Sequence, residues 1–120
     1  IYLIAKKNFK LAPKANALGD VWEIPQEFKN EHPAPFPVEL TDRIIKSCHG
    51  DIVLDPFMGS GTTAISATNC GWNYIGVELS ENYCRMARRR IREHKKIMSA
   101  TKNTQKREIL IKYLIMMYCI

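Results

Sequence analysis

Apolar and polar positions along this chain alternate between two periods. Between residues 38 and 48, Leu40, Ile44, Ile45 and Cys48 recur three or four apart, which sets them on one helical face, and Gly50 after His49 is a stop signal. Residues 52–54 form a short apolar run of the kind a buried strand makes. Residues 62–69 suit a helix closed by Gly71, and 74–77 read as a second strand. From Ser80, a suitable N-cap, a further helix runs to about Lys96 with Tyr83, Met86, Ala87, Ile91 and His94 inward. Helix, strand, helix, strand, helix predicts an α/β fold, a parallel sheet with helices on its faces. Upstream, residues 1–31 are mixed, with two apolar pieces, "IYLIA" and "DVWEIP", the second read as a strand ended by Pro25. "HPAPFP" at 32–37 places three prolines at every second position, so it is an extended loop. No internal repeat is visible.

Composition narrows this to one small core, since the chain has 120 residues, 46% hydrophobic and 25% charged. The longest apolar stretch, 109–120, is interrupted by Lys112 and falls short of the roughly 20 residues that span a bilayer, so a soluble, cytoplasmic protein with no membrane partner is expected. Cys48, Cys70, Cys84 and Cys119 have neither zinc spacing nor disulfide density and read as buried free thiols, and no metal is expected. Charge is unevenly placed. Residues 85–107 carry ten basic residues against one acid, a net +9, whereas residues 1–84 carry seven basic and ten acidic, a net −3. Clustered Lys and Arg suit a polyanion, whose phosphates release counterions; a solvated helix face is the plainer reading. The apolar stripe turns Arg88, Arg89 and Arg92 outward, on a helix expected to pack on a sheet face away from the strand ends.

Chemistry concentrates in "DIVLDPFMGSGTT", 51–63, where a strand runs into a turn with Gly59 and Gly61. Ligands of such sheets sit beyond the carboxyl ends of the strands, and glycines there let a ligand approach the main chain. Glu78 follows the second strand, 17 residues after Gly61, where an acid can accept both hydroxyls of a ribose. Three ligands compete. A phosphate loop needs a lysine before its Ser/Thr, and Gly61-Thr62-Thr63 has none. A dinucleotide pyrophosphate loop is met by Gly59, Gly61 and Ala64, and this reading stays open. Asp55 would repel a pyrophosphate and attract the ammonium of a methionyl group, which favours S-adenosylmethionine.

The same stretch, preceded by "HPAPFPVEL" and followed by "NYIGVELSENYCRMARRRI", resembles the amino-group DNA methyltransferases, which methylate adenine N6 or cytosine N4. The resemblance covers about residues 20–92, "DVWEIP" included, in the arrangement where the cofactor half follows the catalytic half. It implies a Rossmann-like parallel sheet with flanking helices, part of a class I S-adenosylmethionine-dependent methyltransferase fold. It also implies that Asp55, Phe57, Gly59, Ser60, Gly61 and Thr62 line the methionyl pocket, that Glu78 holds the ribose, and that Phe36 and Pro37 pack beside the cofactor from the other side. The partner it implies is double-stranded DNA with the target base flipped out.

The chain departs from the family in one respect. An Asp/Asn/Ser-Pro-Pro-aromatic loop, which orients the target amine and stacks on the flipped base, does not occur in the 120 residues; "DPFM" at 55–58 is the nearest imitation and belongs to the turn. With an opening that lacks Met, this leads to the expectation of a carboxyl-terminal, cofactor-binding part of a methyltransferase, inactive alone and lacking its amino-terminal catalytic half, with no catalytic residue of its own. Residues 1–98 are expected to form the S-adenosylmethionine-binding part and 99–120 a basic linker and apolar tail, a further strand, a partner-binding helix or the remnant of a disrupted reading frame. The alternatives are a non-catalytic cofactor-binding module or relic that completes a partner chain, and a dinucleotide oxidoreductase fragment. His32, His49 and His94 are scattered and read as loop or surface residues, and Trp22 and Trp72 as core or rim packing rather than neighbours of an adenine.

Overall fold

The computed structural model describes residues 4–13, 15–19, 21–28 and 35–118. After a 3-10 turn at Ala15–Leu18, the elements follow in the order α1 (Val38–Lys46), β1 (Ile52–Asp55), α2 (Thr62–Asn69), β2 (Asn73–Gly76) and α3 (Glu81–Tyr118). β1 and β2 pair in parallel, with Ile52 opposite Asn73 and Asp55 opposite Gly76, and α2 makes the crossover between them. This is the expected α/β arrangement, a parallel sheet flanked by helices.

Helix α2 forms the centre of the packing. Its sequence, TTAISATN, is rich in β-branched and hydroxyl residues and would be a weak helix in isolation, so tertiary packing sustains it. Its small side chains permit that packing: Ala64, Ser66 and Ala67 have no exposed surface. A hydroxyl as deeply buried as that of Ser66 must be paired. It lies 2.6 Å from the Thr41 hydroxyl and donates to the Val38 carbonyl at 3.0 Å, tying α2 to α1. On the other side Met58, Ala64 and Ala87 form the core with Tyr74 and Ile91 packed against them, joining the turn after β1, α2, β2 and α3.

The sheet has one covered face. Val53 and Tyr74 are half-buried on the helix side, whereas Ile52, Leu54, Ile75, Val77 and Leu79 are between 53% and 101% exposed. An apolar sheet face left open in this way is unusual for a folded surface.

Three expectations change. The stretch 21–24 forms no strand; Val21 is exposed, and among the described residues no strand lies beside it to satisfy its backbone. The helix expected to end near Lys96 continues to Tyr118, because no Gly or Pro occurs after Gly76 and the residues beyond Lys96 are mostly helix formers. Its 38 residues span about 57 Å at 1.5 Å per residue, and they account for the 59 Å longest dimension. Cys48, Cys70 and Cys84 are free thiols but half-buried rather than buried; burial, then the Asp42 carboxylate, pushes the Cys70 thiol up, with Lys46 opposing. Most of "IYLIA", together with His32, Pro33 and Cys119, lies outside the described residues. No described helix is long and apolar enough to cross a membrane, and no described group of three His, Cys, Asp or Glu could hold a metal.

Candidate cofactor site

The site is built where β1 and β2 end. Asp55 closes β1 and its Oδ1 accepts the Phe57 amide at 2.9 Å, which turns the chain sharply at Pro56. The ladder then continues through the turn: Val77 N donates to Asp55 O at 2.9 Å and Met58 N to Val77 O at 2.8 Å. Gly59 and Gly61 take φ values of 52° and 85°, left-handed conformations that cost other residues energy, and Gly61 leads directly into α2. A second constraint acts on Gly61. A Cβ there would stand 3.0 Å from the Ala87 Cβ, a tight approach that any side chain at Gly61 would have to relieve by pushing α3 away from the turn.

Glu78 bridges the two strand ends. One carboxylate oxygen accepts the Gly59 amide at 2.8 Å and the other the Ser80 amide at 2.8 Å. The carboxylate thus fixes the glycine turn and opens α3, where the Ser80 hydroxyl receives the Tyr83 amide at 3.4 Å.

Between these elements lies a cavity of about 260 Å³. Of the residues anticipated from sequence, Phe36, Phe57, Gly59, Ser60, Thr62 and Glu78 line it. Pro37 faces a separate groove with Pro25, Phe28 and Val38, while Asp55 and Gly61 shape the turn from behind the lining. Phe57 is 86% exposed at the mouth, an aromatic surface with little packed on it.

Sequence reasoning missed Pro35, Met58 and Tyr83, which complete the wall, and Arg90, which stands behind it. Arg90 Nη1 donates to the Ser60 carbonyl at 2.8 Å and to the Ser60 hydroxyl at 2.6 Å, with the Thr62 hydroxyl at 3.5 Å. The signal was present in its spacing: Arg90 falls between Ala87 and Ile91 on the inward stripe of α3. This corrects the placement of α3 away from the strand ends, because the helix abuts the turn through Ala87, Arg90 and Ile91. Arg88, Arg89 and Arg92 are exposed, as their phase on the helix predicts.

The tryptophans and histidines lie elsewhere. Trp22 donates to the Gly19 carbonyl at 3.0 Å and stacks under the Arg43 guanidinium, while the Trp72 ring lies against Gly50, where a Cβ would stand 2.9 Å from it. The His94 ring nitrogen is 2.6 Å from the Asn69 side-chain oxygen, and His49 is exposed.

A family model described as DNA methylase, for N6 and N4 methyltransferases, matches residues 4–89. The chain is 39% identical over 97 residues to the type II methyltransferase M.ScaI of Streptomyces caespitosus, covering 68% of this chain and 31% of that protein. It is 35% identical over 112 residues to the type II methyltransferase M2.MboI of Moraxella bovis, covering 85% of this chain and 40% of the other. The chain therefore spans less than half the length of these relatives. Among solved structures, the M1.HpyAVI-SAM complex matches with a TM-score of 0.50 and 42% identity over 52% of this chain and 32% of that one. The chain belongs to the amino-group DNA methyltransferase family, whose methyl donor is S-adenosylmethionine.

Proposed function

We propose that this chain is the donor-binding half of a DNA methyltransferase that acts on the exocyclic amine of adenine (N6) or cytosine (N4), the target base being flipped out of double-stranded DNA. The observation that carries the reading is the pairing of Glu78 with the glycine turn across one cavity. The residues present fit S-adenosylmethionine. Glu78 lines the cavity with a carboxylate, a group that accepts hydroxyl donors such as those of a ribose, and Gly59 lets the backbone come close to the ligand. The Asp55 carboxylate, folded back on the turn, favours an ammonium over a pyrophosphate. Phe36 and Phe57 give the mouth an apolar rim that excludes water when a ligand closes it. When bound, S-adenosylmethionine supplies a sulfonium methyl open to direct displacement, so the chain's task is to hold and orient.

The acceptor side belongs to other residues. None of the 120 residues forms a Pro-Pro-aromatic loop, and the bare face of Ile52, Leu54, Ile75 and Val77 is the surface on which an amino-terminal catalytic half would complete the sheet and its second helical layer. The basic stretch 85–107 adds phosphate contacts that do not read sequence.

Two experiments test the reading. Tritium transfer from labelled S-adenosylmethionine to DNA should stay at the no-protein blank for the chain alone and rise when the amino-terminal half of a relative such as M.ScaI is supplied in trans. Incorporation by the chain alone would refute the division of labour. NAD titration separates the second reading, a dinucleotide-binding fragment.

A further inference from the structure

Helix α3 changes surroundings along its length. Up to about Lys95 it lies on the domain, through Ala87 against Gly61, Arg90 at Ser60, His94 at Asn69 and Lys95 over the Tyr74 ring. Further on it stands clear: Ile97 is 65% exposed, and every residue from Ser99 to Lys112 is exposed. Hydroxyls there bond back to their own helix, Ser99 to the Lys96 carbonyl, Thr101 to that of Ile97 and Thr104 to that of Ala100. A row of cations runs from the packed part into the unpacked part. Arg88, Arg92, Lys96, Lys102 and Lys106 are exposed and, at about 100° per residue, fall within about 120° of one another around the axis, in a row about 27 Å long. Three of the pairs, Arg88 with Arg92, Arg92 with Lys96 and Lys102 with Lys106, stand four residues apart, a spacing at which like charges oppose helix formation. No described carboxylate forms a salt bridge with any of the five.

We propose that this row is a docking ridge for the phosphates of duplex DNA, with Lys102 and Lys106 carrying the contact past the domain that holds the cavity. The choice of DNA rests on the reading of the chain as part of a DNA methyltransferase. Two further observations favour it over an anionic membrane. Residues 101–107 include no apolar side chain, so this part of the helix has nothing to bury in lipid. A straight row of fixed charge suits a stiff duplex, which carries one phosphate charge per about 1.7 Å of its axis and releases condensed counterions as cations neutralise it. The same release relieves the repulsion along the row.

Fluorescence anisotropy of the full chain on a labelled DNA duplex, titrated at rising salt, tests it. Lys102→Gln with Lys106→Gln should weaken the duplex about fivefold and flatten the salt dependence by roughly 1.8, leaving S-adenosylmethionine affinity by calorimetry unaltered. Adding Thr101→Lys and Gln105→Lys to that pair returns the net charge on the other side of the helix and should not restore DNA affinity. Recovery of wild-type affinity in the four-substitution chain overturns the inference, since net charge then suffices without the ridge; an unaltered titration of the two-substitution chain overturns it too. Binding of vesicles rich in anionic phospholipid through these lysines, with no binding of the duplex, has the same consequence. Should the variants lose helix by circular dichroism, acetylation of the wild-type chain read by mass spectrometry decides: protection of Lys102 and Lys106 by the duplex supports the ridge, and unchanged labelling of both refutes it. A wild-type chain whose lysines are protected by DNA but which takes up no S-adenosylmethionine supports the ridge and sinks the reading of the cavity alone.

Discussion

The two faces of the sheet are made of similar residues and live in different surroundings. On one, Tyr74 joins Met58, Ala64 and Ala87 in a core from which solvent is nearly excluded; on the other, Ile52, Leu54, Ile75 and Val77 remain more than half exposed. The helix-covered face is the one that shapes the turn, because α2 and α3 grip it from both sides. The glycine turn is thus held from the covered side, while the open face has no layer packed on it among the described residues. Apolar content alone would not have separated the two faces.

The largest effects should come from disturbing the closed side. Ala64→Leu forces about three carbons into a position with no exposed surface and should destabilise by about 1–3 kcal/mol in chemical denaturation. Leu54→Ser on the open face should change stability by no more than about 0.5 kcal/mol, since the Leu54 side chain is already 64% exposed. Comparable losses from both would abolish the distinction between the faces. Gly61→Ala combines a positive φ with a 3.0 Å approach to Ala87 and should cost about 1–3 kcal/mol, visible as a lower melting temperature.

Next in size is the ligand site. Glu78→Ala should weaken S-adenosylmethionine by about 1–3 kcal/mol through loss of charge-assisted bonds to the ribose and release of the Gly59 amide. Glu78→Gln should lose less, because its single amide oxygen can still accept one of the two backbone amides. Unchanged affinity in a folded Glu78→Ala chain would move the ribose-binding position elsewhere.

The smallest effects belong to the outer face of α3. Replacing Arg88, Arg89 and Arg92 with Gln should flatten the dependence of DNA affinity on salt by roughly 0.9 for each phosphate no longer neutralised, with cofactor affinity unaltered. A DNA titration indistinguishable from wild type would leave these arginines as a solvated face.

These contrasts also show what was legible in the sequence. β1, the glycine turn, α2, β2 and the start of α3 were readable because each is short, locally punctuated and periodic, so Gly61 and Ser80 mark real boundaries. The stretch 21–24 had the composition of a strand, but a strand needs a partner, and pairing is not a local property. The end of α3 was misplaced for the opposite reason: apolar periodicity stops near Lys96, yet propensity without a breaker carries the helix on. Within the site, Gly59, Ser60, Thr62 and Glu78 were legible through motif spacing. The Glu78 bond to Gly59 spans 19 residues and the Arg90 bond to Ser60 spans 30, so the first depends on how β2 ends beside the turn and the second on how α3 returns to it. Pro35 and Phe36 line the cavity, whereas Pro37, next along the chain, lines the neighbouring groove.

The central claim is that the cavity between Glu78 and the glycine turn is built for S-adenosylmethionine. Titration calorimetry of the chain against S-adenosylmethionine, its demethylated product and NAD tests it most directly. Tighter binding of the methyl donor or its product than of NAD, lost in Glu78→Ala, is the predicted result. Tighter binding of NAD would contradict it.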